Sequence, residues 1–135
     1  MIPKEVKALF SGGRVIWLAT ADAGGVPNVA PMLQYWWADE KTMLIGDYFM
    51  KATKANVGVV GKLCVAANDP EAKASFKLKG SARVETGGPM FDRAMAERRK
   101  VKADAPNFKS VLVFTVEEVY DLRPGENAGG LMAKV

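Results

Sequence analysis

Histidine is absent from this chain, and cysteine occurs once. The first absence removes the side chain that most often acts as a general base near neutral pH and that commonly ligates zinc or haem iron. Neither a Ser-His-Asp nor a Cys-His arrangement can be built, and no histidine-containing zinc site is available. Any difficult chemistry would fall to a bound cofactor. The single cysteine excludes an intrachain disulfide and leaves the redox compartment open, with the cytoplasm as the default expectation. Long apolar runs are missing as well. None approaches the ~20 residues needed to cross a bilayer, and the opening Met1-Ile2-Pro3-Lys4-Glu5 lacks a signal peptide's apolar region. Large charge imbalance is also lacking: 19 basic and 15 acidic residues leave a net charge of +4. That balance suits an anionic ligand and is too evenly mixed to indicate nucleic acid. Neither GxGxxG nor a P-loop lysine motif occurs, so dinucleotide and Walker-type sites have no support.

What remains is the composition of an ordinary globular protein, 49% hydrophobic and 25% charged over 135 residues. That length fits one domain, residues 1–135, able to bury a core without staples. Pro3 to Phe10 reads as a short helix with Val6, Leu9 and Phe10 on one face. Val15 to Thr20 is a continuous apolar run, the mark of a strand buried on both faces. After a turn at Ala23-Gly24-Gly25 the chain returns through Pro27 to Trp37. Pro31 sits inside that second strand. Proline cannot donate to a ladder, so this position belongs on an edge, at a bulge or where a sheet opens, and an open backbone beside apolar side chains could receive a flat ligand.

Asp39-Glu40-Lys41 makes the next turn. Thr42 to Gly46 reads as a third strand, and Met50 to Val60 as a short helix with Asp47 available as its N-cap. Leu63 to Asn68 and the alternating Ala74 to Val84 are further strands, Pro89 to Val101 is a charged helix, and Lys109 to Tyr120 is a last strand. From about residue 122 an irregular tail is expected. Strand meanders with few, short helical insertions fit a mainly β barrel with peripheral helices.

The segment richest in binding chemistry is Gly46 to Asn56. Lys51 and Lys54 are three apart, which on a helix makes them repelling neighbours that an anion would reconcile. A helix start supplies free N–H groups and partial positive charge suited to phosphate. Thr53 adds a hydroxyl and Asn56 an amide. Spacing alone equally describes a solvated basic face, and favours it. Tyr35, Trp36 and Trp37 form an aromatic cluster best explained as core or subunit interface. Cys64 in its apolar strand reads as an inert hydrophobe, and Arg98-Arg99-Lys100 as cations complementing a helix C-terminus. No side chain stands out as catalytic, and no metal ligand set is present.

Taken in order, Val15–Thr20, Gly25–Pro31, Met43–Asp47 and Met50–Asn56 resemble the pyridoxamine 5′-phosphate oxidase-like flavoproteins, and among them the short FMN-binding proteins. The resemblance implies a six-stranded antiparallel split β-barrel with short helices, binding FMN at the interface of a homodimer. It implies that Pro31, Met32, Leu33 and Gln34 run along the flavin, that Gly46, Asp47, Tyr48 and Phe49 line the ring and ribityl chain, and that Met50 to Thr53 bind the phosphate, Lys51, Ala52 and Thr53 among them, with Asn56 just beyond. Relatives carry lysine directly before the threonine. Here that position is Ala52, and Lys51 or Lys54 stands in, although one residue along a helix turns a side chain by about 100°. The implied function is FMN binding with redox use, as an oxidoreductase or an electron carrier, serving a small-molecule or protein redox partner. A flavin- or deazaflavin-dependent reductase and a non-enzymatic flavin-binding module are the alternatives. Pyridoxamine phosphate oxidation itself is not expected, since that activity uses a histidine.

Overall fold

A computed structural model describes residues 1–135 as eight strands and three short helices. In chain order these are α1 (Lys4–Leu9), β1 (Ile16–Ala21), β2 (Pro27–Met32), β3 (Tyr35–Trp37), β4 (Thr42–Asp47), α2 (Ala52–Val60), β5 (Lys62–Asp69), β6 (Ala74–Glu85), α3 (Pro89–Val101), β7 (Ser110–Asp121) and β8 (Leu131–Lys134). All strand pairs are antiparallel, and the sheet runs β2-β1-β5-β6-β7-β4-β3, with β8 also paired to β7.

The two edges of that sheet, β2 and β3, are joined through Leu33 and Gln34 alone. The three Cα steps from Met32 to Tyr35 span only about 10 Å, so the sheet must curl until its edges nearly meet, which makes an incompletely closed barrel. This is the mainly β split barrel expected from sequence. The side chains that point inward along alternate positions form the main core: Ile16 and Leu18 from β1, Leu78 from β6, and Phe114 and Val116 from β7. Helix α1 contributes Val6 and Leu9, and Phe10 follows it into the same cluster. A second, smaller cluster lies between α3 and the strands β4 and β7, built on Leu44, Phe91, Met95, Phe108 and Val111.

The strand count is eight instead of six, for two reasons. The stretch from Pro27 to Trp37 is two strands, because the chain leaves one edge at Met32 and begins the other at Tyr35. The tail also contains β8. On one side of β7, β4 occupies only Ser110–Thr115, and β8 takes the open ladder at Glu118–Tyr120. Pro31 does lie on an edge strand, facing Trp17 across the β1–β2 ladder. By contrast, β1 is not covered on both faces within one chain: Ile16 and Leu18 are fully buried whereas Trp17 is 49% exposed. The turn before β4 forms as expected, with Asp39 accepting the N–H groups of Lys41 and Thr42 at 2.9 and 2.8 Å.

Candidate functional site

The opening between the two sheet edges is a cleft of about 700 Å³. One wall is the free edge of β2, another is the Leu33-Gln34 connection, and the rest comes from Gly46, the 48–51 loop and the start of α2. Its floor requires glycine at position 46. A Cβ there would lie 2.2 Å from the ring of Phe108, and that ring is itself packed against Tyr48 with centroids 4.6 Å apart. The Gly46 N–H donates to the Gln34 carbonyl at 2.8 Å, which ties the floor to the edge connection.

Ten of the residues predicted from sequence line this cleft: Pro31, Met32, Leu33 and Gln34 on one side, and Gly46, Tyr48, Phe49, Lys51, Ala52 and Thr53 on the other. Segments separated in sequence are thus brought together on one surface. Met50, from the stretch expected at the phosphate, lines it too, and so do Val15, Asn28 and Ala30, which were not predicted. Asn28, Ala30 and Met32 share one face of β2 at period two, so alternation along the strand carried the signal that was overlooked.

Asp47 and Asn56 do not reach the cleft surface. Asp47 is fully buried and is not the N-cap of α2, which begins one turn later at Ala52 with Lys51 before it and no side-chain cap. Its Oδ1 instead accepts the Met50 N–H at 2.7 Å, and its Oδ2 accepts the Ser110 hydroxyl at 2.7 Å. The Lys54 ammonium stands 3.4 Å from the same oxygen. Asn56 is buried and donates its amide to Thr20 Oγ1 at 3.0 Å, clamping α2 onto β1. Thr53 Oγ1 accepts from the Asn28 amide at 3.2 Å, which joins α2 to β2 at the end of the cleft.

Lys51 and Lys54 therefore are not a repelling pair on one helical face. Lys51 precedes the helix with φ −123° and ψ −86°, is exposed, and lines the cleft. It belongs to none of the chain's ion pairs. Beside it, the first N–H groups of α2 have no partners within the helix, as at any helix start. One end of the cleft thus presents a free cation and N–H donors, and the remainder is an apolar bed. Among its lining residues only Tyr48 and Lys51 are ionisable, and the Tyr48 hydroxyl is engaged by the Pro106 carbonyl at 2.7 Å. Such a surface can hold and orient a flat ligand with an anionic end; it supplies no carboxylate, thiol or imidazole for proton transfer.

Trp36 and Trp37 are half-buried within the subunit. The Trp37 indole donates to the Phe10 carbonyl at 2.9 Å under the Lys7 ammonium, 3.9 Å from its ring centroid, and Trp36 packs 6.0 Å from Phe108. Cys64 lies outside the cleft, and burial pushes its thiol up from the usual range against the opposing pull of Lys77 and Lys79. At pH 7 it should stay protonated and react with iodoacetamide at least about tenfold more slowly than free cysteine, as followed by mass spectrometry.

An incompletely closed barrel with an apolar cleft between its edges that ends at an exposed lysine defines the class, and sequence comparison gives the family. The chain belongs to the pyridoxamine 5′-phosphate oxidase family, whose model matches residues 2–123. An uncharacterized protein of Methanocaldococcus jannaschii is 30% identical over 122 residues, which span 89% of this chain and 80% of that one. The crystal structure of HupZ from Group A Streptococcus is 29% identical, with a TM-score of 0.80 over 96% of this chain and 100% of HupZ. An FMN-binding protein from Syntrophomonas wolfei shares the fold at 17% identity, with a TM-score of 0.66 over 90% of this chain and 83% of that one. An F420 reductase and the heme storage protein HutZ of Vibrio cholerae share it at 15% and 16% identity. At such identities the likeness is one of fold. No helix here is long and apolar enough to cross a membrane.

Proposed function

We propose that this protein binds FMN in the cleft between β2 and β4 and serves as a flavin-dependent redox protein. The observation that carries the reading is the polarity of the cleft along its length: an apolar bed from Pro31 to Leu33 and Tyr48, ending at Lys51, Thr53 and the start of α2. The residues fit the group. The bed matches a flat ring that must leave water, and the free cation with helix N–H donors matches a phosphate. In this arrangement Lys51 and Thr53 hold the phosphate, Gln34 and the free edge of β2 offer hydrogen bonds along the ring, and Tyr48 is pinned through Pro106 as one wall. When bound, the flavin supplies the electron-accepting chemistry, while the protein excludes water from it and tunes it by burial and hydrogen bonding. The visible spectrum of the purified protein, before and after addition of FMN, tests the reading. Flavin bands shifted from those of free FMN are expected, and a spectrum equal to the sum of its parts would sink it.

The working unit in this reading is a homodimer. One face of the β1–β2 sheet is apolar and uncovered: Val15, Trp17, Val29 and Leu33 are all exposed, at 42%, 49%, 61% and 51%. Val15 and Leu33 also line the cleft, so a second copy seated on this face would close one side of the ligand site. In this reading the exposed indole of Trp17 lies at the subunit contact. Trp17→Glu should give monomers in sedimentation velocity and weaken FMN binding; a persisting dimer would put the contact elsewhere.

A cleft lined by no carboxylate, thiol or imidazole also fits a flavin-binding module without an enzymatic role, and the fold shared with an F420 reductase fits a deazaflavin-dependent reductase. Oxidation of NAD(P)H or of reduced deazaflavin, followed by absorbance, separates these readings from an electron carrier. Haem held through imidazole is excluded by the lack of histidine.

A further inference from the structure

We propose that Asp47, a buried carboxylate, sets how strongly the cleft prefers a phosphorylated flavin, by holding Lys54 in an ion pair so that Lys51 is the one lysine that meets the phosphate. This rests on the flavin site described above and concerns the division of labour within it. The Asp47 side chain is 1% exposed. A carboxylate at that depth is tolerated only with full compensation. Three groups provide it: the Met50 N–H at 2.7 Å, the Ser110 hydroxyl at 2.7 Å and the Lys54 ammonium at 3.4 Å. Only Lys54 among them carries a full positive charge. Swinging it toward a phosphate would strip Asp47 of its counter-charge, so Lys54 is held back although it stands on the first turn of the same helix.

Asp47 acts on the site a second way. By accepting the Met50 N–H it fixes the 48–51 loop, and with it Tyr48, Phe49 and Lys51 on the cleft wall. Its own backbone carbonyl accepts the Lys109 N–H at 2.8 Å, so the loop is anchored to the segment leading into β7. Asp47 is thus a positioning residue. It contributes shape through Oδ1 and removes a cation from the site through Oδ2. The neutral Asp47–Lys54 pair adds little net attraction for an anion, and preference for FMN over riboflavin falls to Lys51 and the helix N–H groups.

The experiment measures the ratio of FMN to riboflavin affinity by fluorescence titration of the full chain, at low and moderate salt. Lys51→Met should lower the ratio about tenfold, one charge-assisted contact. Asp47→Asn keeps an acceptor for the Met50 N–H and frees Lys54. The ratio should then rise severalfold and fall more steeply with salt, as expected of an added exposed cation. The double variant Asp47→Asn with Lys54→Met should return to the unmodified ratio, since the rise depends on Lys54. A merely structural role for Asp47 would weaken both ligands alike and leave the ratio unmoved, which overturns the proposal. So does an unchanged preference in Lys51→Met, an exposed position whose substitution keeps the Asp47–Lys54 pair and does not depend on how Asp47→Asn folds. Failure of the unmodified protein to bind either flavin removes the site reading itself, and this inference with it.

Discussion

Replacing Lys51 and Thr53 together with alanine should weaken FMN binding by about 100-fold while the protein stays folded. The size follows from the two contacts. A hydrogen bond from a charged donor to a phosphate contributes about 1.5–3 kcal/mol and a neutral hydroxyl about 1 kcal/mol, and each 1.4 kcal/mol is a factor of ten. Little of the fold depends on either group. Lys51 is exposed and stands outside the helix interior, and Thr53 would lose one bond, from the half-buried Asn28. Alanine suits the first turn of a helix. Fluorescence titration gives the affinity, and circular dichroism the fold. An unchanged affinity would remove the phosphate from this end of the cleft.

Gly80→Ala should be the most destabilising single methyl addition in the chain. Gly80 sits at the bulge of the β6–β7 ladder. A Cβ there would lie 1.9 Å from the Thr115 carbonyl oxygen, 2.9 Å from its carbon and 3.1 Å from the Glu117 nitrogen. All three are backbone atoms of the strand that also pairs with β4 and β8. At Gly46 the atoms a Cβ would meet belong to the Phe108 side chain and not to backbone. The β7 backbone is held from both sides, so the ladder must open locally. Overpacking of this kind costs about 3 kcal/mol. For a domain of this size that lowers the melting temperature by roughly 10 °C. A fall of less than about 3 °C in calorimetry would mean that β7 yields at the bulge.

Much of the fold was legible in short stretches of sequence. Apolar runs, the alternation of β6 and turn chemistry located β1, β5, β6 and β7, because a strand's composition, its period and its Gly, Asp and Pro boundaries are local properties. Pro31 narrowed its strand to an edge, a bulge or an opening of the sheet, and the strand lies on an edge. What was missed had its cause elsewhere in the chain. The strand β8 has no β-branched residue, and it forms because β7 leaves a stretch of ladder open. The break at Leu33-Gln34 occurs because two sheet edges lie on either side of it, which nothing in that apolar run announces. The apolar outer face of β1 pointed to burial on both sides, and one chain covers only the inner one.

The cleft divides in the same way. The sequence by itself determined that the chain offers no histidine chemistry and that an apolar strand broken by proline precedes a basic helix start, for which residue type and order are enough. Its resemblance to the family implied that Pro31 to Gln34 and Gly46 to Thr53 meet on one surface, and all of these but Asp47 do. Only the tertiary structure decided the roles within that surface. Lys51 and Lys54 are equivalent by composition and three apart by number, yet one is free and the other is bound to a buried carboxylate. Asp47 reads as a helix cap and proves to be an anchor, and Asn56 reads as a ligand group and proves to be a clamp on β1. Each of these depends on partners from distant strands (Ser110 and Thr20 among them). A side chain's charge is written in the sequence, but whether that charge is already neutralised depends on what folding brings beside it.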